Sequence, residues 1–199
     1  MDSLKKFIER NKNYIKNDNV SFSIFEKYKD VLPNEITYIW QNYGFGVFED
    51  GFIQFVNPEE YNPLLQYCDI YLDPTIVFAV TAMGDLIVWE GSGNSKIAED
   101  EGNRYALYNF RKGKKIILSG NPVVLNIIIG DKEEIEDDEY FDSAIYYQAI
   151  VTNRPLNFGE CYGFEPLLAL GGSEKVENIK IVKTKEYLDI IGQTVGQID

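Results

Sequence analysis

The sequence contains no histidine among its 199 residues, and only two cysteines. Without histidine, the chain cannot build a Ser-His-Asp triad, a Cys-His pair or a histidine-ligated metal site of its own. Only lysine or arginine remains to activate a thiol as a nucleophile. The cysteines, Cys68 and Cys161, lie far apart in the chain, so they predict no disulfide framework and fit a reducing compartment.

Basic residues are also scarce, with 19 lysines and arginines against 32 aspartates and glutamates and a formal net charge of -13. Such a charge argues against DNA, RNA or anionic lipid as direct ligands, because those ligands require a cationic surface. It permits a basic protein as partner. The alternative is that the acidity serves solubility alone, as in many acidic proteins.

Long apolar runs are absent as well. The most apolar stretches, TIVFAVTAM and PVVLNIII, are far too short to span a bilayer. The first stretch, MDSLKKFIERNKNYIK, is charged and amphipathic and lacks the apolar region of a signal peptide. We therefore expect a soluble, cytoplasmic protein that does not contact membranes.

The spacing of apolar residues predicts helices first and strands afterwards. A stripe from Leu4 to Ile15 predicts one helix, and the stripe between Pro33 and Gly44 predicts the clearest helix of the chain. Two pairs of β-rich runs, 75–82 with 85–90 and 103–110 with 115–120, predict consecutive hairpins. The predicted fold class is therefore α+β, with N-terminal helices packed on an antiparallel, meandering sheet.

The last third of the chain predicts a smaller α+β part that ends in a helix. It contains a helix with an apolar stripe through Phe141, Ala144, Ile145 and Ala149. A strand from Phe164 to Leu170, a strand at NIKIVK and a helix from Thr184 follow. Residues 119–122, SGNP, form the most plausible boundary between two domains. We therefore predict domains at 1–119 and 120–199, or one continuous globule.

The segment GECYG, residues 159–163, resembles in spacing the G-x-S-x-G elbow that carries a hydrolase nucleophile. An elbow needs a buried strand before it and a helix after it, and neither flank predicts that arrangement. Glu160 and Glu165 would moreover raise the pKa of the Cys161 thiol. We therefore favour a structural glycine-aromatic turn over a catalytic nucleophile.

Other candidate catalytic features are weaker. The glycine-rich segments YGFGVFEDG and EGSGNSK match neither a Walker A loop nor a dinucleotide fingerprint, so Gly91, Gly93 and Lys96 predict a loop at the end of a hairpin. Asp85 and Glu90 are interpreted as solvent-facing strand ends rather than as a catalytic pair. The sequence thus predicts no catalytic residue, no metal site and no cofactor.

The segment 131–142 is densely acidic and contains a single lysine. It lacks the spacing of a calcium-binding loop. Two interpretations remain: a solvent-exposed stretch that leads into a helix, or a surface that binds a cationic partner. Aromatic residues among the acids suit the second alternative. The predicted partner-binding residues are Asp131, Glu133, Glu134, Glu136, Asp137, Asp138, Glu139, Tyr140 and Asp142.

The stretch GECYGFEPLLALGGSEKVENIKIVKTKEYLDII resembles the C-terminal domain of type VI secretion immunity proteins. The segments LPNEITYIWQNYG and AVTAMGDLIVWEG are similar to the GAD-like domain that commonly precedes it. The residues that carry the first resemblance are Gly159, Glu160, Cys161, Tyr162, Gly163, Phe164, Pro166, Leu168, Ala169, Leu170, Gly171 and Gly172, followed by Asn178, Lys180, Val182 and Lys183.

This resemblance implies a non-catalytic antitoxin that binds and neutralises a cognate toxin, typically a basic nuclease domain. It implies a structural role for the motif from Gly159 to Gly172, with Cys161 as a small buried residue in a turn before a core strand. The alternatives are an enzyme or small-ligand regulator with a cleft between helices and sheet, and a general binding scaffold. A deep pocket with converging carboxylates or tyrosines would favour the enzyme or regulator.

Overall fold

The computed structural model describes residues 5, 8–9, 11, 14–70, 72–91, 103–119 and 141–199. Its main element is a seven-stranded antiparallel sheet whose strands lie side by side in chain order. The meander and both hairpins of the predicted α+β fold are confirmed. The strands are β1 Ile15–Asp18, β2 Phe45–Phe48, β3 Ile53–Phe55, β4 Thr75–Thr81, β5 Leu86–Glu90, β6 Arg104–Asn109 and β7 Lys114–Ser119.

Between β1 and β4 lie the helices α1 Phe22–Tyr28, α2 Asn34–Tyr43 and α3 Pro58–Tyr61. The helix predicted after Pro33 is confirmed as α2, which buries Ile36, Ile39 and Trp40 and ends at Gly44 with φ 77°. A positive φ costs glycine little, so this residue ends the helix. Of the helix predicted from Leu4 to Ile15, Leu4 and Phe7 lie outside the described residues and residues 5, 8 and 9 are helical, but the predicted end is wrong because Ile15 begins β1.

The C-terminal part contains α4 Ser143–Thr152, β8 Glu160–Phe164, β9 Ile179–Lys183 and α5 Thr184–Val195. β8 and β9 form a separate antiparallel pair. The strand at NIKIVK and the final helix are confirmed. The strand predicted from Phe164 to Leu170 is wrong, because β8 ends at Phe164 and Leu168–Leu170 form a 3₁₀ turn. Pro166 has no N–H for a strand ladder, which favours this early end.

The buried face of α4 differs from the predicted stripe. Ser143, Tyr146 and Ala149 are buried, whereas Ala144 is exposed. Phe141 is buried but precedes the helix, so it does not share the helical spacing that the prediction assumed. The aromatic ring of Tyr146 takes the inward position and packs against Phe52.

The C-terminal part packs directly on the large sheet, and one hydrophobic core contains residues from both. Gln54 on β3 is fully buried. Its Nε2 donates to the Glu160 carbonyl at 2.7 Å and its Oε1 accepts from the Gly159 N–H at 2.8 Å. The Tyr162 N–H donates to the Ala82 carbonyl at 2.7 Å. These bonds fix β8 against β3 and against the turn between β4 and β5.

Candidate functional site

The acidic segment meets the described fold at Asp142. Its other predicted partner-binding residues, 131–140, lie outside the described residues. The Asp142 carboxylate binds Arg111 Nη2 at 2.9 Å and Lys112 Nζ at 2.6 Å. Burial alone would raise the pKa of Asp142, but the two cations together lower it below its ordinary value. Asp142 is therefore held by internal ion pairs, and it ties the end of the acidic segment to the turn between β6 and β7.

Arg111 joins Asp142 to a second, fully buried carboxylate. Its Nη2 lies 3.0 Å from both oxygens of Asp85, and neither side chain is exposed. The Thr81 hydroxyl donates to Asp85 at 3.0 Å. Burial raises the pKa of Asp85, and the Arg111 charge opposes that rise. The cluster of Asp85, Arg111 and Asp142 thus connects both hairpin turns to the start of α4.

Glu90, at the other end of β5, is also completely buried. It pairs with Arg104 at 2.8 Å and Lys115 at 2.6 Å, and it accepts a hydrogen bond from the Tyr108 hydroxyl at 3.1 Å. The interpretation of Asp85 and Glu90 as solvent-facing strand ends is therefore wrong. Glu90 ends the central strand β5 and Asp85 directly precedes it; other parts of the fold cover both carboxylates, and each is balanced by arginine.

Cys161 is fully buried, and burial raises the pKa of its thiol to about 12. A thiol with such a pKa is protonated at neutral pH and is a poor nucleophile. The predicted turn at GECYG is wrong in its extent. Gly159, with φ 77°, makes the turn, and Glu160–Phe164 form β8 itself. No strand-turn-helix elbow surrounds the thiol.

Several other motif residues sit where packing restricts the residue type. A Cβ atom at Gly163 would lie 2.7 Å from Val182 and 2.8 Å from the Tyr187 ring, and one at Gly172 would lie 2.0 Å from the Pro166 carbonyl oxygen. Phe164 is fully buried. Leu170 differs from these residues, since 67% of it is exposed. The motif therefore combines residues held by packing with apolar residues at the surface, since Pro166 and Ala169 are exposed as well.

Glu160 is the charged member of the motif. It accepts from Arg154 at 2.8 and 3.1 Å and from the Asn157 N–H at 3.0 Å, and it lies 3.5 Å from Lys183. The hydrogen bonds from Arg154 contribute most to lowering the pKa of Glu160 to about 2. This carboxylate thus stays ionised well below neutral pH.

We expect Glu160→Gln to remove a pH-dependent contribution to stability of about 1–2 kcal/mol. A carboxyl group whose pKa is lower in the folded state stabilises the fold above its unfolded pKa, and it loses that contribution as pH falls towards 2. Urea unfolding at pH 7 should show the deficit, and unfolding near pH 2 should not. A deficit that persists unchanged at pH 2 would contradict the ionic origin.

A surface pocket of about 370 Å³ lies where the connection after β1 meets α1 and α2. It is lined by Asn19, Val20, Phe22, Phe25, Trp40 and Gln41. None of these residues is charged, so this pocket lacks the converging carboxylates or tyrosines expected of a catalytic cleft. The sequence did not predict this pocket. The available signal was the aromatic spacing of three along α1, formed by Phe22, Phe25 and Tyr28.

The part of the chain that the structure describes holds no group of three or more cysteine, aspartate or glutamate side chains placed to bind a metal ion. Within the same residues, no helix combines the length and the apolar character needed to cross a membrane.

Comparison with known proteins gives two family matches that follow one another along the chain. The model of the GAD-like domain matches residues 2–99. The model described as T6SS immunity protein Tdi1, C-terminal, matches residues 128–195. No curated protein matches the chain.

Among solved structures, the crystal structure of Atu4351 from Agrobacterium tumefaciens has a TM-score of 0.71 to this chain at 21% sequence identity. The match covers 94% of this chain and 86% of that one. At this identity, the likeness shows a common fold. The two family matches go further, and they agree with the motif from Gly159 to Gly172 and with the helix and hairpin of the N-terminal part. The chain belongs to the family of type VI secretion immunity proteins in which a GAD-like domain precedes a Tdi1-type C-terminal domain.

Proposed function

We propose that the chain binds a cognate secreted toxin domain and neutralises it by covering its substrate-binding surface, without catalysing a reaction. The toxin domain is cationic and acts as a nuclease. The observation that carries this proposal is the excess of acidic residues, with a net charge of -13, in a member of an immunity family. A surface that binds nucleic acid is positively charged, so an acidic protein complements it.

The acidic segment 131–142 is the face that we assign to the toxin. Asp142, the last residue of this segment, is held by ion pairs with Arg111 and Lys112, so the acids before it are the ones that we assign to the toxin. Both described cysteines are free thiols, which fits a protein that acts in the cytoplasm.

The direct test is affinity purification of the tagged chain from its producing cell. We expect recovery of a toxin encoded beside its gene and inhibition of that toxin's nuclease activity at a one-to-one ratio. Absence of any toxin from the recovered proteins would contradict the proposal. Turnover of a substrate by the pure chain would contradict it as well.

The acidic segment is tested by neutralising Glu133, Glu134 and Glu136 to glutamine together. Because charges at the rim of an interface mainly steer association, we expect the association rate to fall about 10-fold at low salt, with little change in the dissociation rate. The matched control neutralises Glu165, Glu177 and Glu186, which are exposed in the C-terminal part. An equal loss in both variants, measured by stopped-flow kinetics, would show that total charge acts rather than the segment.

A further inference from the structure

Five consecutive apolar residues, PLLAL at 166–170, reach the surface of the C-terminal part. Pro166 and Ala169 are exposed, Leu167 and Leu168 are half-buried, and 67% of Leu170 is exposed. These five residues are called the 166–170 surface below. An apolar run that faces solvent favours aggregation, so a folded protein keeps one mainly where it binds a partner. Packing within the fold does not account for the exposure of Leu170.

Backbone hydrogen bonds hold the 166–170 surface in one shape. The Leu170 N–H donates to the Leu167 carbonyl at 3.0 Å, and the Gly171 N–H donates to the Leu168 carbonyl at 3.0 Å. The Gly172 N–H donates to the Leu167 carbonyl, also at 3.0 Å. A partner that covers Leu170 therefore has little backbone freedom to remove, which lowers the entropy cost of binding.

The 166–170 surface adjoins the point where the acidic segment reaches the folded body. The Leu168–Leu170 turn lies against the Phe110–Lys112 turn between β6 and β7. At that turn, Lys112 Nζ contacts the Asp142 carboxylate at 2.6 Å and the Glu174 carboxylate at 3.6 Å. Asp142 ends the acidic segment, and Glu174 follows the apolar run by four residues. Lys112 thus joins the end of the acidic segment to the loop that carries the apolar run.

The charge at this place selects the kind of partner. The segment 131–142 contains eight aspartates and glutamates and a single lysine, and its last residue lies on the same lysine as Glu174. A protein that covers Leu170 therefore comes close to a strong negative charge, which attracts a cationic surface. A second copy of this chain, with its own net charge of -13, is repelled.

From these features we infer that the 166–170 surface binds the cationic toxin domain at an apolar patch bordered by lysines or arginines. This inference rests on the proposed function and adds a contact of a different kind to the acidic segment. Leu170 supplies desolvated apolar contact, which governs dissociation, whereas the acidic segment governs association. The C-terminal part thus combines a charged segment and an apolar anchor for one partner.

Leu170→Ala in the full chain tests the inference. We expect the complex with the purified toxin domain to dissociate about 10-fold faster, with an unchanged association rate, because apolar truncation acts mainly on dissociation. The matched control is Ile15→Ala, which truncates a side chain that is 66% exposed on β1, at the opposite edge of the sheet from β7. The control complex should dissociate at the wild-type rate, as measured by surface plasmon resonance.

Two further measurements separate binding from folding. Leu170→Met keeps an apolar side chain of similar volume, so it should restore most of the lifetime of the complex. Calorimetric titrations at several temperatures should show a less negative heat-capacity change of binding for Leu170→Ala than for the wild type, because less apolar surface is buried. A lowered unfolding midpoint of Leu170→Ala, with an unchanged heat-capacity change, would show that Leu170 serves the fold and would overturn the inference.

The outcomes separate this inference from the proposed function. Recovery of no toxin overturns both. A Leu170→Ala complex as long-lived as the wild-type complex overturns the inference and leaves the proposed function intact. A dimer of the pure chain in sedimentation that Leu170→Ala abolishes would identify a second copy as the occupant and would likewise overturn the inference.

Discussion

Replacing Arg111 by methionine is expected to lower the free energy of unfolding by about 3–5 kcal/mol, because it leaves the buried Asp85 carboxylate without its cation. Asp142 keeps Lys112 as a partner at 2.6 Å, so the loss falls mainly on Asp85. Urea unfolding of the variant and of the wild type at pH 7 measures this loss of unfolding free energy. The half-exposed Arg154, replaced by methionine, is the control and should change the unfolding midpoint far less.

The pH dependence of this deficit has a definite sign. Without Arg111, only the hydrogen bond from the Thr81 hydroxyl opposes the rise that burial causes in the pKa of Asp85. A carboxyl group whose folded pKa is raised costs stability above its unfolded pKa of about 4 and costs nothing below it. The deficit of Arg111→Met should therefore shrink as pH falls from 7 to 4. A deficit that grows over this interval would contradict the account.

The double variant Asp85→Leu with Arg111→Met completes the test. Arg111 Nε and Nη1 have no hydrogen-bond partner among the described groups, so the guanidinium is only partly satisfied in the fold. Replacing a buried ion pair by apolar residues is often neutral, whereas removing one partner is not. We expect the double variant to recover at least half of the loss. A double variant less stable than Arg111→Met would show that the cluster does more than balance charge.

Phe164→Ala is expected to have an effect of similar size, about 3–5 kcal/mol, because it opens a cavity in the core where β8 packs. The control from the same motif is Leu170→Ala, which should change stability by less than about 0.5 kcal/mol because the side chain is exposed. Thermal and urea unfolding of both variants measure this contrast. Full stability of Phe164→Ala combined with lost toxin binding would contradict a structural role for the motif.

The helices and hairpins follow from local patterns that the sequence shows directly. α2 is recognisable because its apolar residues repeat at helical spacing and Gly44 can adopt the positive φ that ends it. The two hairpins are recognisable because β-branched and aromatic runs flank short glycine-containing turns. Errors occur at boundaries, where Ile15 joins a strand and β8 begins before Phe164, because spacing over a few residues supports more than one assignment.

The sequence by itself determined the α+β class, the meander, the absence of histidine chemistry and, through the motif beginning at Gly159, the family. Only the tertiary structure decided that Asp85 and Glu90 are buried, that Asp142 pairs with Arg111, and that Phe22 and Trp40 border one pocket. The reason is that burial and ion pairing depend on residues that lie far apart in the chain and meet only on folding. Local spacing reports the character of a strand or helix, but it does not report which other segment covers it.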